Sequence, residues 1–262
     1  MSMLVPPYLE AAHIQDNSIR YEWDDWRTLP ALEEIDEKLV SRLKGLSRRA
    51  VFAFMTGTVE WIYYRLAKLC DDPHPWDYLE AAWAMIIEVR YCGYGSGVWW
   101  QMYAREGWDG PIKGPLGEAL ERLEIAHHQL ALEGTDPVRR AGLVSTLAVH
   151  VMSGPEKYKR WSEQVLERFQ ALYPRNPKDL LGDIVPRQAV DPESDFDVRR
   201  TEALTNQFLA GLNYRTNIFL SSPEGMLASE ELSKPFQGTP YVFDIETDRQ
   251  ARYAGKEEDH HH

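Results

Sequence analysis

The stretch RAVFAFMTGTVEWIYYRLAKL, residues 49–69, is apolar on almost every side when wound as a helix. Such a helix is stable only when other elements cover it all round, so this segment demands a place at the centre of a bundle. Its uncharged core, AVFAFMTGTV from Ala50 to Val59, is ten residues long. A membrane crossing needs about 20, so burial within protein is the expected fate.

The rest of the chain supplies the cover. ALEEIDEKLVSRLKGL (31–46) is amphipathic, and YLEAAWAMIIEVRY (78–91) sets Leu79, Ala82, Trp83, Ile86 and Val89 along one face. Leu116, Leu120, Leu123, His127 and Leu130 form a stripe at helical spacing, and Tyr158, Trp161, Val165, Phe169 and Leu172 form another. Proline after a small residue marks helix starts, because the missing proline N–H would be unpaired in the first turn anyway. The pattern occurs at Asp136-Pro137, Asn176-Pro177, Asp191-Pro192 and Ser222-Pro223, with Gly114-Pro115 and Gly154-Pro155 as weaker forms. These starts leave little room for a sheet. The expected fold is all-α, a single-domain bundle of about eight helices with a short extended C-terminal segment, QGTPYVFD at 237–244. Residues 1–30 read as an acidic-aromatic arm, 31–236 as the helical domain, 237–259 as an extended or frayed tail, and 260–262 as a purification-tag remnant.

Charge narrows the function. A net charge of -12 opposes binding to a nucleic-acid backbone, which requires a basic face, and favours a basic protein partner. The negative charge concentrates at the start, where residues 1–37 hold nine acids against Arg20 and Arg27. Cys70 and Cys92 are too few for a disulfide framework and lack a zinc-type neighbour. No secretory signal is visible in MSMLVPPYLEAAH, so a cytoplasmic protein without membrane attachment is expected.

Several motifs suggest chemistry. In RYCGYGSGVWW (90–100) the glycines Gly93, Gly95 and Gly97 match neither the dinucleotide fingerprint nor a phosphate loop, and Ser96 lacks the flanking glycines of a nucleophile elbow. A turn after a helix ending near Arg90 or Cys92 fits better. In CDDPHPWD (70–77), Asp71, Asp72 and Asp77 copy a magnesium-binding spacing, but Pro73 and Pro75 break the helix that would align them; the stretch reads as a loop with Pro75 opening the next helix. Glu121, Glu124 and His128 share a helix face, yet a second ExxH motif is missing. His127 belongs to the apolar stripe, and Glu124 with His128 reads as a surface pair. Cys70 precedes two aspartates, which raises its thiol pKa. No catalytic residue, metal ligand or cofactor is assigned.

The remaining feature is RYEWDDWRTLPALEEIDE (20–37), where Tyr21, Trp23 and Trp26 interleave with Glu22, Asp24 and Asp25. Rigid aromatic anchors within a negative field suit an interface with a basic partner. An arm whose tryptophans dock on the protein's own helices while its acids face water is a compatible reading. These six residues are the candidate partner-binding set.

NIFLSSPEGM (217–226) and KPFQGTPYVFD (234–244), with the aromatic stretches GTVEWIYYRLA and GVWWQMY, resemble the helical immunity proteins encoded beside bacterial polymorphic and type VI secretion toxins. The resemblance implies a cytosolic protein that binds one cognate toxin and blocks its active site or substrate access, and it carries over no contact residues. Two other classes stay open. One is a small all-helical enzyme, metal-dependent in one version, drawing on Asp71, Asp72, Glu121, Glu124 and His127 or His128. The other is a regulatory or scaffold domain. The oligomeric state is not readable.

Overall fold

The computed structural model describes residues 5–15, 18–25, 35–92, 107–131 and 137–222. Within them lie the helices α1 (Pro7–Ala12), α2 (Glu37–Lys44), α3 (Arg48–Leu66), α4 (His74–Ile87), α5 (Gly110–Ala131), α6 (Val138–Val151), α7 (Glu156–Leu172) and α8 (Thr201–Ala210). Short 3-10 turns span Val89–Tyr91, Arg187–Val190 and Val198–Arg200. Among the described residues there is no strand, only isolated bridges such as Leu46 with Pro174 and Cys92 with Leu220. The protein is all-α. The expected extended segment at 237–244 lies outside the described residues, and among those described no helix is long and apolar enough to cross a membrane.

Helix α3 is the axis. Every residue from Ala50 to Leu66 is buried, and α4, α5, α6 and α7 pack around it. Its start is capped by Ser47, whose hydroxyl accepts from Ala50 N–H at 3.3 Å. Thr56 and Thr58 lie fully inside, and each satisfies its hydroxyl on its own helix, bonding the carbonyls of Phe52 and Phe54 at 2.9 Å. Gly57 has a packing role. A Cβ there would lie 2.9 Å from Cζ2 of Trp161, so the missing side chain lets α7 bring Trp161 against α3. The indole stacks on Phe54 at 5.8 Å and Tyr8 at 5.7 Å and donates to the Val190 carbonyl at 2.7 Å.

Both apolar stripes face the core: Leu116, Leu120, Leu123, His127 and Leu130 are buried on α5, as are Tyr158, Trp161, Val165 and Phe169 on α7, with Leu172 half-buried. Helix α4 begins at His74, one residue before the start expected at Pro75. Pro75 sits comfortably in a first turn, and Asp72 accepts from His74 N–H at 3.0 Å. The CDDPHPWD loop is thus a helix entrance, as expected. Helix α4 stops at Ile87, where Glu88 turns extended. Val89 consequently sits half-buried in a 3-10 turn, and Gly93, Gly95 and Gly97 lie outside the described residues.

The proline starts divide. Pro137 and Pro155 stand immediately before α6 and α7 as expected. Asn176-Pro177 and Asp191-Pro192 open no helix. The side chains of Asn176 and Asp191 instead accept from the N–H two residues on, Lys178 at 3.0 Å and Glu193 at 3.1 Å, closing Asx turns. Gly114-Pro115 is no start either, because α5 already runs from Gly110 and carries Pro115 inside it. Pro223 lies outside the described residues.

Two outcomes follow from the core. Gly57→Ala forces the Trp161 indole off its seat and lowers stability by about 1–3 kcal/mol, whereas Gly154→Ala, with open space at its Cβ, stays within about 0.5 kcal/mol of the parent; urea denaturation compares them. Burial pushes the Tyr158 phenol up to about 12, above the unfolded value of about 10. Its contribution to stability is complete below about pH 10 and is lost as pH rises through about 12. Stability measured over that window by denaturant unfolding falls less steeply in Tyr158→Phe than in the parent.

Candidate functional site

A buried polar arrangement surrounds Glu60, in the C-terminal half of α3, with its side chain fully buried. A carboxylate taken out of water costs several kcal/mol unless donors replace the lost hydration. Three donors do so from three distant segments. Tyr8 on α1 donates its hydroxyl to Oε2; Trp83 on α4 donates Nε1 to Oε1 at 2.9 Å; Arg187 donates Nη2 to Oε1 at 2.6 Å. Burial, then the Glu60 charge, raises the Tyr8 phenol well above its ordinary value. Burial opposes the Arg187 charge, and Glu60 with Tyr8 more than offsets it, so that the guanidinium is held more firmly than in water.

Arg187 also lies over the Trp76 ring, 5.1 Å from its centroid, and Trp76 meets Tyr64 edge-on at 6.1 Å. Glu80 is close by. Burial first, and Asp77 second, raise its carboxyl above the usual range, opposed by Arg187 and by bonds from Asn217 and Trp76. The recess bordered by Trp83, Arg187, Thr205 and Phe208 is too tight to admit a water molecule. The arrangement stitches α1, α3, α4 and the 187–190 turn together.

A second polar arrangement involves the N-terminal segment. Proline 115 has no N–H, so the carbonyl of Pro111, four residues back in α5, has no donor from its own helix. The Tyr21 hydroxyl donates to it. Asp25 accepts from Gly110 N–H at 3.1 Å and from Trp23 Nε1 at 2.6 Å, placing a carboxylate at the positive end of α5. His150 on α6 donates Nε2 to the Glu22 carbonyl at 2.8 Å and carries the Tyr21 ring against its imidazole at 5.4 Å. The residues from 18 to 25 therefore strap α5 to α6.

The strap contains five of the six candidate partner-binding residues. Tyr21, Trp23 and Asp25 are half-buried against the protein's own helices, and Glu22 and Asp24 are exposed between them; Trp26 lies outside the described residues. The arm thus docks Tyr21 and Trp23 on the protein's own helices with Glu22 and Asp24 toward water, and Asp25 turns inward with the aromatics. An open groove of about 720 Å³ separates α2, α6 and α7, with Leu39, Thr146, Val149 and Leu166 inside and the Arg42–Glu163 pair across it.

Among the described residues, no three His, Cys, Asp or Glu side chains gather as a metal site. Asp72 pairs with His74 at 2.6 Å, and Glu121 is half-buried beside Glu118 and Arg122 on α5. Glu124 is not the surface residue its spacing suggests: it is 8 % exposed, close enough to Tyr78 and Cys92 to help raise both. The His128 side chain lies outside the described residues. Both cysteines are free and buried. The Cys70 thiol is raised, as expected, but burial is the main cause and Asp72 and Asp71 are minor ones.

Glu60, Tyr8, Arg187 and His150 escaped sequence reasoning. One signal was available: Glu60 is the sole charged residue between Ala50 and Tyr64. Comparison with protein-family models, curated proteins and solved structures gives no match for the chain.

Arg187→Ala leaves the Glu60 carboxylate buried beside two neutral donors and is expected to lower stability by about 3 kcal/mol or more. Adding Glu60→Gln recovers part of the loss, because the amide carries no charge to desolvate. A double-mutant cycle by chemical denaturation measures the coupling; independent, additive losses would contradict the pairing.

Proposed function

We propose that the chain is a non-enzymatic acidic binding protein, most concretely an immunity protein that acts in the cytoplasm by tight, direct association with a cognate bacterial toxin. The observation that carries this reading is the alternation along the strap. Tyr21, Trp23 and Asp25 are seated against α5 and α6, so Glu22 and Asp24 stand exposed on a backbone whose path those contacts set. Acids already ordered before encounter lose little entropy on binding. Their field accelerates approach of a basic surface. The overall charge of -12 reinforces that steering, and the resemblance to immunity proteins supplies the class of partner.

The test uses affinity capture from source-cell lysate with the parent and with Glu22→Lys/Asp24→Lys. A basic protein is expected on the parent, and its expression alone should arrest growth that co-expression of this chain restores. Against that purified partner, the double reversal slows association about tenfold or more at low salt, with the difference shrinking as salt screens it. Equal association rates would remove the strap acids from the interface, and a captured protein without toxicity would remove the immunity role.

A further inference from the structure

The strap is bound to the bundle in the way a groove binds a peptide ligand. Bundle side chains hold its backbone: Arg65 donates to the Ser18 carbonyl and His150 to the Glu22 carbonyl at 2.8 Å. Such contacts recognise an extended chain whatever its side chains. Two seats then add selectivity. The first is the Pro111 carbonyl, left without a helical donor by Pro115 and filled by the Tyr21 hydroxyl. The second is Gly114. A Cβ there would collide with Trp23 Nε1 and Cε2 and lie 2.6 Å from Asp25 Oδ1; all three atoms belong to the strap, so the absent side chain is a socket for it. Charge matches at one point as well, since the Asp25 carboxylate accepts from Gly110 N–H at the positive N-terminus of α5.

The strap is also weakly integrated. None of residues 18–25 belongs to the buried core, and Ile19, Tyr21 and Trp23 only pack against its outside. A segment so placed opens at a fraction of the cost of global unfolding. Opening bares the Pro111 carbonyl, the Gly110 N–H and the Gly114 socket, which another chain of like chemistry can fill.

We infer that the face formed by Arg65, Gly110, Pro111, Gly114 and His150 is a peptide-recognition surface occupied in cis by residues 18–25. Its occupant in trans is an extended acidic segment of a partner protein, with a tyrosine, a tryptophan two residues on and a carboxylate two further. The strap is then an autoinhibitory ligand. Its tether holds it at an effective concentration on the order of millimolar, so an untethered competitor must match the seats well to enter. This surface is distinct from the exposed Glu22 and Asp24 edge and does not depend on the toxin reading.

The experiment uses the full chain and a fluorescent synthetic peptide of sequence SIRYEWDD, the strap itself. In Tyr21→Ala/Trp23→Ala the cis ligand loses both anchors, and the peptide is expected to bind saturably, one per chain, measured by anisotropy. The parent should bind it about 10²-fold more weakly. Adding Gly114→Ala to the anchorless chain should abolish binding, and a scrambled peptide should not bind. Should the double substitution reduce helicity, Tyr21→Phe serves in its place: it removes only the bond to Pro111 and is expected to bind the peptide more tightly than the parent does. Equal affinity for parent and anchorless chain, undiminished binding once Gly114→Ala is added, or no saturable binding at all, would overturn the inference.

Discussion

The carboxylate of Glu60, with no exposure to water, is the constraint around which the rest of the chain is arranged. An acid at that depth is tolerable only while its donors are in place, and those donors come from residues 8, 83 and 187. The first helix, the fourth helix and the turn after α7 must all be correctly seated before the charge is compensated. One buried group thereby adds a polar tie among segments that also share the apolar core. The neighbouring aromatics contribute in the same place. Trp161 reaches α3 over Gly57 and stacks on Tyr8, and Trp76 lies under Arg187.

The strap depends on a second local defect that the bundle corrects from outside. Proline 115 is a poor residue inside a helix because it removes a backbone donor and crowds the preceding turn. Here the lost bond is replaced by a phenol from residue 21 and the open helix end by a carboxylate from residue 25. Helix α5 is completed by side chains about ninety residues earlier in the chain. The same geometry makes the arm an ordered acidic edge and leaves its attachment shallow. Both properties bear on recognition, one by presenting charge and the other by permitting exchange.

Much of the architecture was legible because it rests on local periodicity. The all-round apolarity of 49–69 and the stripes on α5 and α7 each report which faces are buried, and burial follows the same residues. Turn chemistry was less readable. Asn176 and Asp191 precede proline just as a helix cap would, and only the direction of the following chain makes them Asx turns instead. Glu124 misled because spacing gives the face a residue occupies but not what covers that face. The Glu60 centre was hidden for a different reason. A lone acid in an apolar run is a visible anomaly, but its partners lie 52, 23 and 127 residues away, and no local pattern connects them. The candidate arm was found from composition, whereas the inward turn of Tyr21, Trp23 and Asp25 depends on Pro115 and Gly114, far off in sequence.

The central claim is that compensation of one buried charge makes α1, α3, α4 and the 187–190 turn a single cooperative unit, with the strap outside it. Native-state hydrogen exchange on the unmodified chain tests this most directly. The account predicts that protected amides in α1, α3, α4 and the 187–190 turn share one opening free energy close to that of global unfolding, while those of residues 18–25 exchange through a cheaper, separate opening. Exchange of α1 or the 187–190 turn independently of α3, with the Glu60 helix still protected, would contradict it.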